Sequence, residues 1–367
     1  MRKSVVVLGS TGSIGKATLE ICKEHDIEIE ALVANSSVEL LQKQIDEFKP
    51  RFVAIADPKY LEKIEHPHIF SGKDGILELI DNSKSKTVVN ALVGYAGLNP
   101  TIRAIEQKKR VALANKESLV VAGAFINKSQ IVPIDSEHFG LKYLLDCSQK
   151  SVDRLVITAS GGAFRDWERD KVVDAKYEDA LLHPNWSMGE KITIDSATMV
   201  NKLFELLEAK WLFGVEKIDA VIERSSTIHA LVEFVDGSTT AHFAKADMKL
   251  PIAYSILDEI KEPIIERVNL LEVGSFGFEK IDEKKYPLWS LKDDLLKNPK
   301  MGVVLNAANE EAIEKFKSQK CNFGKMCDSI LETYKRFENS VPESINDINS
   351  IDKEVREFIK YKIRGIV

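Results

Sequence analysis

Three places along this chain gather side chains that could do chemistry. The first is "VPIDSEHFG", where Asp135 and Glu137 flank Ser136 just after an apolar run. On a strand or its extended end, residues i and i+2 point to the same side. Two carboxylates aimed together repel unless a cation or a proton lies between them. Oxygen-only ligands suit Mg²⁺ or Mn²⁺ better than zinc. The same tripeptide also reads as an exposed acidic turn.

The second place is "HPNWSMGEKITIDSATMVNKLFELLEA", from His183 to Ala209. Asp195 and Ser196 are good N-cap residues, which predicts a helix from there through Ala209. Met199, Leu203, Leu206 and Leu207 share its core side, and Asn201, Lys202, Glu205 and Glu208 share the other. Alone, that polar stripe is a solvated face. Ahead of it, His183, Trp186 and Met188 lie beside Gly189 in a stretch without periodicity. Bulky apolar groups exclude water and a glycine permits motion, so the loop reads as a lid. Lid, stripe and Ser196 at a helix N-terminus together make a phosphate pocket, with Glu205 as a third carboxylate for the metal. Nearby, Ser160-Gly161-Gly162 follows the apolar run "RLVITA". Backbone N–H groups and a hydroxyl can surround an anion there, although taken alone the segment reads as a bulge or tight turn.

The third place is "VVVLGSTGSIGKATLE", with Gly9, Gly12 and Gly15 between a strand and a helix. Such a turn lets backbone approach a pyrophosphate and offers free N–H groups at the helix start. Inside a βαβ unit it points to dinucleotide binding. The second strand ends in Asn35, Ser36 and Ser37, with no acid before Glu39. A carboxylate at that place would bind the 2′-hydroxyl of NAD; its lack leaves room for the 2′-phosphate of NADP. The same three residues also serve as caps for the following helix. Asn115, Lys116 and Glu117 follow another strand, where such sheets bind ligands, and they read equally as a solvated helix start.

The elements that must position these residues change texture along the chain. Up to about Ile134, strands ("SVVVLG", "IEIEALVA", "RFVAIA", "TVVNAL", "RVALA", "QIVPID") alternate with amphipathic helices. That is a Rossmann-like α/β domain with a parallel sheet, assigned to residues 1–134. Residues 135–258 mix strands in hairpin order, with an Asp236-Gly237 turn, and a long helix: an α+β domain carrying the metal site and lid. Residues 259–287 read as a connector, and 288–367 as a small C-terminal helical bundle.

Composition narrows the partners. Of 367 residues, 51 are basic and 57 acidic, for a net charge of -6. The charges are well mixed, so neither nucleic acid nor an anionic membrane is indicated as partner. No run of about 18 apolar residues exists, and the N-terminal apolar run is too short for a secretory signal. Cys22, Cys147, Cys321 and Cys327 form no C-x-x-C pair, which points to a reducing cytoplasm.

"GSTGSIG", "LANKESLV", "DSEH", "SGG-FR", "HPNWSMG-KI-IDSATM-NK--E--EA" and "LNAANEEA" occur in an order that resembles the 1-deoxy-D-xylulose 5-phosphate reductoisomerase family, up to about residue 330. The resemblance implies a homodimer with an NADPH-binding domain, a catalytic domain and a helical bundle. It implies rearrangement of a ketose phosphate followed by reduction of the resulting aldehyde, using NADPH and Mn²⁺ or Mg²⁺. Carried over by motif, Asp135, Glu137 and Glu205 are metal ligands. Lys116, Ser136, Ser160, His183, Ser196, Asn201 and Lys202 make the substrate site, with Ser160, Ser196, Asn201 and Lys202 on the phosphate. Lys116, His183 and Glu205 are the residues expected to act in catalysis. Thr11, Gly12, Ser13, Ile14, Asn115, Glu117 and Gly189 are NADPH contacts, beside the Asn35, Ser36 and Ser37 loop, and Trp186 and Met188 are the lid. Ala163 and Ala246 stand where the family motifs carry proline. Two other readings compete: an NADP-dependent dehydrogenase of another small phosphorylated or acidic substrate, which needs an activated cysteine, and a non-enzymatic dinucleotide sensor, which leaves the carboxylates and lid without a task.

Overall fold

A computed structural model describes residues 3–148 and 150–364. Residues 1–2 and 365–367, the outer ends of the first and last expected domains, lie outside the described residues. The chain divides into two compact units: residues 1–118, 126–136 and 247–266, and residues 119–125, 137–246 and 267–367.

The first unit is built on β1 (Ser4–Leu8), β2 (Glu28–Ala34), β3 (Phe52–Ile55), β4 (Ile69–Ser71), β5 (Thr87–Asn90), β6 (Arg110–Leu113) and β7 (Ile131–Pro133). All pairings are parallel, in the order β4-β3-β2-β1-β5-β6-β7. Strands covered on both faces read as near-continuous apolar runs, which is why "VVVL" and "ALVA" are fully buried. Helices α1 (Ser13–Glu24), α2 (Val38–Phe48), α3 (Gly72–Asn82) and α4 (Leu98–Glu106) connect the strands, and α5 (Lys116–Ala122) follows β6. The sequence reading lacked β4, whose three residues are too short to show a period. The chain runs outward from β1 to β4 and then returns to β5 on the other side of β1, so the switch point lies between β1 and β5.

The boundary expected at 258 falls inside a segment that belongs to this first unit. There α11 (Lys249–Ile256) packs on α1. Its Ile252, Ala253 and Ile256 are fully buried in the same core as Val5, Leu19 and Leu32. Three apolar side chains on one helix need that cover more than they need the hairpin sheet that precedes them in sequence.

The second unit holds a mixed sheet in the order β11-β10-β8-β9-β12, made of β8 (Val152–Ala159), β9 (Ile218–Glu223), β10 (Ile228–Phe234), β11 (Thr239–Phe243) and β12 (Phe278–Glu279). Strands β8 and β9 are parallel and the others antiparallel. Gly237, at φ 85°, makes the expected turn between β10 and β11. Helix α6 (Ser136–Asp146) precedes the sheet, and two four-residue helices, α7 (Arg169–Val172) and α8 (Tyr177–Ala180), lead to the stretch 183–189. After the sheet come α12 (Leu270–Val273) and α13 (Lys292–Lys297). Then α14 (Gly302–Lys317) packs against α15 (Phe323–Arg336) and α16 (Ile345–Arg364) as the helical bundle.

The long helix predicted from Asp195 is two helices, α9 (Glu190–Thr198) and α10 (Val200–Phe213). Met199 stands between them at φ 66°. The Thr198 hydroxyl donates to the Asp195 carbonyl and accepts from Val200 N–H, replacing backbone hydrogen bonds at the break. Asp195 and Ser196 therefore lie in the last turns of α9 and cap nothing. It is Asn201 and Lys202 that occupy the first turn of the following helix.

Candidate active site

Asp135 sits between β7 and α6, and Glu137 is in the first turn of α6. The two carboxylates are thus set by a strand-to-helix junction and not by strand alternation. Glu205 comes from the second turn of α10 and is 1% exposed. Each of Asp135, Glu137 and Glu205 offers an oxygen within 4.8 Å of the others. An oxygen-only set of this size fits a hard divalent cation.

Two lysines serve the same carboxylates. Lys116 Nζ pairs with Asp135. Lys202 Nζ, on a side chain almost wholly buried, lies 2.8 Å from Glu137, 2.5 Å from Glu205 and 2.5 Å from the Thr158 carbonyl. Burial opposes its charge, but the Glu137 and Glu205 carboxylates outweigh burial and hold the ammonium above the usual lysine range. Asn201 donates to Glu205 at 2.6 Å. His138 Nε2 lies 2.9 Å from the Glu205 backbone carbonyl. A carbonyl only accepts, so this nitrogen carries the hydrogen and ties α6 to α10. The stripe, which taken alone reads as a solvated face, is interior: Lys202, Glu205 and Glu208 are all buried.

Ser160-Gly161-Gly162 closes β8. Gly161 and Gly162 have φ of 91° and 66°, and a Cβ on Gly162 would sit 2.5 Å from the Ser196 carbonyl. Only glycine allows that approach, so the turn and the end of α9 lie together. Two further groups hold the turn: Tyr286 Oη donates to the Gly161 carbonyl at 2.7 Å, and Arg165 donates to the Ser160 carbonyl. Neither was singled out in the sequence. Arg165 was visible only as part of "SGG-FR", and Tyr286 lies 125 residues from its partner.

His183 Nδ1 accepts the backbone N–H of Asn185 and of Trp186, so it carries no proton. The hydrogen is then on Nε2, which donates to Ser160 Oγ at 2.9 Å. Ser160 Oγ also accepts Gly162 N–H, which leaves its own hydroxyl hydrogen to donate elsewhere. Burial, with the Arg165 and Lys202 cations, lowers the His183 pKa to about 4. Because the folded value is depressed, protonation begins in the unfolded chain first. The contribution to stability is full above about pH 6.5 and is lost as pH falls towards 4. Imidazole NMR at pH 6 should therefore report a neutral ring with hydrogen on Nε2. A His183 titration midpoint near 6.5 would contradict this arrangement.

Asn185 anchors the base of the 183–189 stretch by donating to the Arg224 carbonyl and Ser226 Oγ, both at 2.7 Å. Trp186 is half-buried with its ring edge-on to His229, 6.3 Å between centroids, and Met188 is also half-buried. Gly189 precedes α9 at φ -65°, with open space where a Cβ would be. Its backbone needs no glycine, so the reading of Gly189 as a hinge has no conformational basis. Glu190, next in line, accepts from Tyr177 and pairs with Lys317.

In the first unit, a Cβ on Gly9 would meet the Ala91 carbonyl at 2.5 Å, and one on Gly15 the Gly9 carbonyl at 2.2 Å. Close packing of β1, β5 and α1 therefore puts the glycine turn at the sheet's switch point, where ligands of such sheets bind. Gly12 and Ser13 are exposed, and Thr11 and Ile14 partly so. Asn35, Ser36 and Ser37 are exposed too, and Ser37 makes no side-chain cap to α2. Capping thus does not use its hydroxyl. Asn115 is different: Nδ2 donates to Leu92 O, Gly94 O and Glu117, while Oδ1 accepts Ser118 N–H and Oγ–H. That amide is spent inside the unit, so it orders the loop and has little left for a ligand. Gln44 was missed altogether. It bonds Ser10 twice, and its signal was a polar residue on the buried side of α2, with Leu41 and Ile45.

Comparison with known proteins gives one consistent result. Residues 5–123 match the model of 1-deoxy-D-xylulose 5-phosphate reductoisomerase, 131–213 its C-terminal domain model, and 243–358 the DXP reductoisomerase C-terminal domain model. The chain is 58% identical over 360 residues to the 1-deoxy-D-xylulose 5-phosphate reductoisomerase of Nautilia profundicola, covering 96% of this chain and 98% of that one. It is 51% identical to that of Campylobacter hominis, covering 98% and 100%. Among solved structures, DOX-P reductoisomerase in complex with NADPH, fosmidomycin and magnesium superposes with a TM-score of 0.91 at 34% identity, covering 99% of this chain and 98% of that one. The Zymomonas mobilis enzyme in complex with NADPH gives 0.88 at 31%, covering 99% of each.

Proposed function

The chain belongs to the 1-deoxy-D-xylulose 5-phosphate reductoisomerase family, and from that premise we propose how its own residues divide the work. The activity is the NADPH- and divalent-metal-dependent rearrangement and reduction of 1-deoxy-D-xylulose 5-phosphate to 2-C-methyl-D-erythritol 4-phosphate, in isoprenoid precursor synthesis. Asp135, Glu137 and Glu205 hold the metal; the observation that carries this reading is their convergence within 4.8 Å as an oxygen-only set. When bound, the cation supplies Lewis acidity toward the sugar oxygens and NADPH supplies the hydride.

The protein's own groups bind, orient and neutralise. Ser160 directs its free hydroxyl hydrogen to the substrate phosphate, held in that role by the hydrogens it already accepts from Gly162 and His183. Ser196 and Asn201 complete that pocket. Lys202 supports it by charge, with its ammonium shared between Glu137 and Glu205. Lys116, paired with Asp135, stabilises negative charge that develops on a substrate oxygen, beside Ser136. His183 positions Ser160 as a hydrogen-bond donor, with both ring nitrogens engaged by Ser160 Oγ and by the Asn185 and Trp186 N–H groups. Trp186 and Met188 exclude water, and phosphate binding closes the loop that bears them. Thr11, Gly12, Ser13 and Ile14 receive the pyrophosphate, and Glu117 and Gly189 are further NADPH contacts.

A dehydrogenase working through a thiolate is not favoured, because the family models and relatives all point to the reductoisomerase, and burial raises the pKa of three of the four cysteines, Cys22, Cys321 and Cys327. Free cysteines support a reducing cytoplasm as the compartment, and no helix among the described residues is long and apolar enough to cross a membrane. β11 is an edge strand of the second sheet and its Phe243 is 42% exposed, which supports a homodimer. NADPH oxidation with 1-deoxy-D-xylulose 5-phosphate, with and without Mn²⁺, tests the function. Turnover that persists in chelator would rule out the metal reading.

We assign the 2′-phosphate to Asn35, Ser36 and Ser37. Placing Asp at Ser36 sets a carboxylate beside that phosphate. NADPH affinity should fall by about tenfold or more while NADH is held as before or better. Equal cofactor affinities in the unmodified protein would remove these residues from the cofactor site.

A further inference from the structure

Gln44 stands on α2, two helical turns beyond Ser37, and it is 6% exposed. It reaches back to Ser10, which is fully buried in the glycine turn. Ser10 Oγ donates to Gln44 Oε1 at 2.7 Å, and Gln44 Nε2 donates to the Ser10 carbonyl at 2.9 Å. One carboxamide thus satisfies both the hydroxyl and the carbonyl of one buried serine, a reciprocal pair with little freedom to slide. From the other side, Gly9 and Ser10 N–H both donate to the Val33 carbonyl, at the end of the strand that leads into Asn35. The turn is therefore fastened to β2 by backbone and to α2 by Gln44, on either side of the Asn35–Ser37 loop.

Resting on the assignment of the turn to the pyrophosphate and of that loop to the 2′-phosphate, we propose that Gln44 is a positioning residue for cofactor choice. It fixes the spacing between the two subsites that NADPH spans. NADH uses only the first of them, so a fault in the spacing costs NADPH more than NADH. Support of the turn alone would affect both cofactors equally, because both place a pyrophosphate there. The difference between the two cofactors is therefore the informative readout.

The test uses the full-length protein with Mn²⁺ at 25 °C, titrating NADPH and NADH by nicotinamide fluorescence. Gln44→Met removes both partners of Ser10. Gln44→Glu keeps an acceptor for the hydroxyl and loses the donor to the carbonyl, and it serves if the first variant folds poorly. The expected result is an NADPH Kd raised about tenfold, an NADH Kd changed by at most about threefold, and unchanged Mn²⁺ affinity. An equal loss for both cofactors, or no loss for either, overturns the proposal. Gly12→Asp separates this from failure of the underlying assignment. Its backbone (φ -75°) accepts any residue and its Cβ meets nothing closer than 3.4 Å, so the variant folds and sets a carboxylate at the start of α1. If Gly12→Asp binds NADPH normally, the turn is not the cofactor site. If it abolishes binding while the Gln44 variants show no selective loss, only the role of Gln44 is wrong.

Discussion

Glu205→Gln should give a folded protein that binds NADPH normally and has lost Mn²⁺. The change keeps shape and hydrogen-bonding capacity but removes one of three charges that lie within 4.8 Å of one another. Groups that only orient metal ligands change affinity by about 10- to 100-fold. Loss of a charged ligand should exceed that range, and turnover should fall with metal occupancy. Three like charges alone would suggest that removing one relieves repulsion in the metal-free chain. Lys202, 2.5 Å from Glu205, changes that expectation. The carboxylate is already countered, so no gain in apo stability should appear. Asn201, now donating to Glu205, can donate equally to the Gln oxygen. Mn²⁺ and NADPH titrations done separately decide the matter. Mn²⁺ affinity within about twofold of the parent would mean that Glu205 is only a partner for Lys202, and the three-carboxylate site would be abandoned.

How much of this was legible before any coordinates depends on how local the cause was. The parallel sheet was, because β1, β2, β3, β5, β6 and β7 are covered on both faces and so spell out apolar runs. Strand β4 was not, since Ile69–Ser71 is too short to carry a pattern. The Met199 break hid because the apolar spacing of one helix runs on into the next, while what marks it is one left-handed residue and the Thr198 hydroxyl bonded across the junction. Asp135 and Glu137 were paired for a reason that does not hold: they sit at a strand-to-helix junction, which also brings neighbouring side chains together. The burial of Lys202 and Glu205 was invisible. Their covering partners, Thr158 and Glu137, come from 44 and 65 residues away from Lys202. Asn115 looked available as a ligand because its five internal hydrogen-bond partners include Leu92 and Gly94 backbone carbonyls, which no side-chain motif records.

The second large effect should come from Lys202→Met. In the sequence Lys202 reads as a phosphate contact, and its loss would then harm substrate binding alone. The structure adds a task. Its ammonium lies between Glu137 and Glu205, and their attraction overcomes the burial that opposes its charge. Taking one partner from a buried ion pair costs about 3–5 kcal/mol, because the remaining charge stays desolvated. Methionine fills the volume of the stem but leaves Glu137 and Glu205 facing each other beside Asp135, with Lys116 on Asp135 as the counter-charge in the same cluster. In chelator, the variant should therefore unfold at markedly lower urea than the parent. A divalent cation bound by the same carboxylates replaces the missing charge, and any ligand that binds only the folded state stabilises it. Mn²⁺ should thus raise the urea midpoint of Lys202→Met more than that of the parent, while turnover stays low because the phosphate pocket has lost its cation. Glu205→Gln should differ, because Lys202 keeps Glu137 as its ion partner: the loss in chelator should be smaller than for Lys202→Met, and Mn²⁺ should raise the urea midpoint little. If Lys202→Met matches the parent in chelator and gains no more from Mn²⁺, the carboxylates are not held by Lys202, and its role is confined to the phosphate.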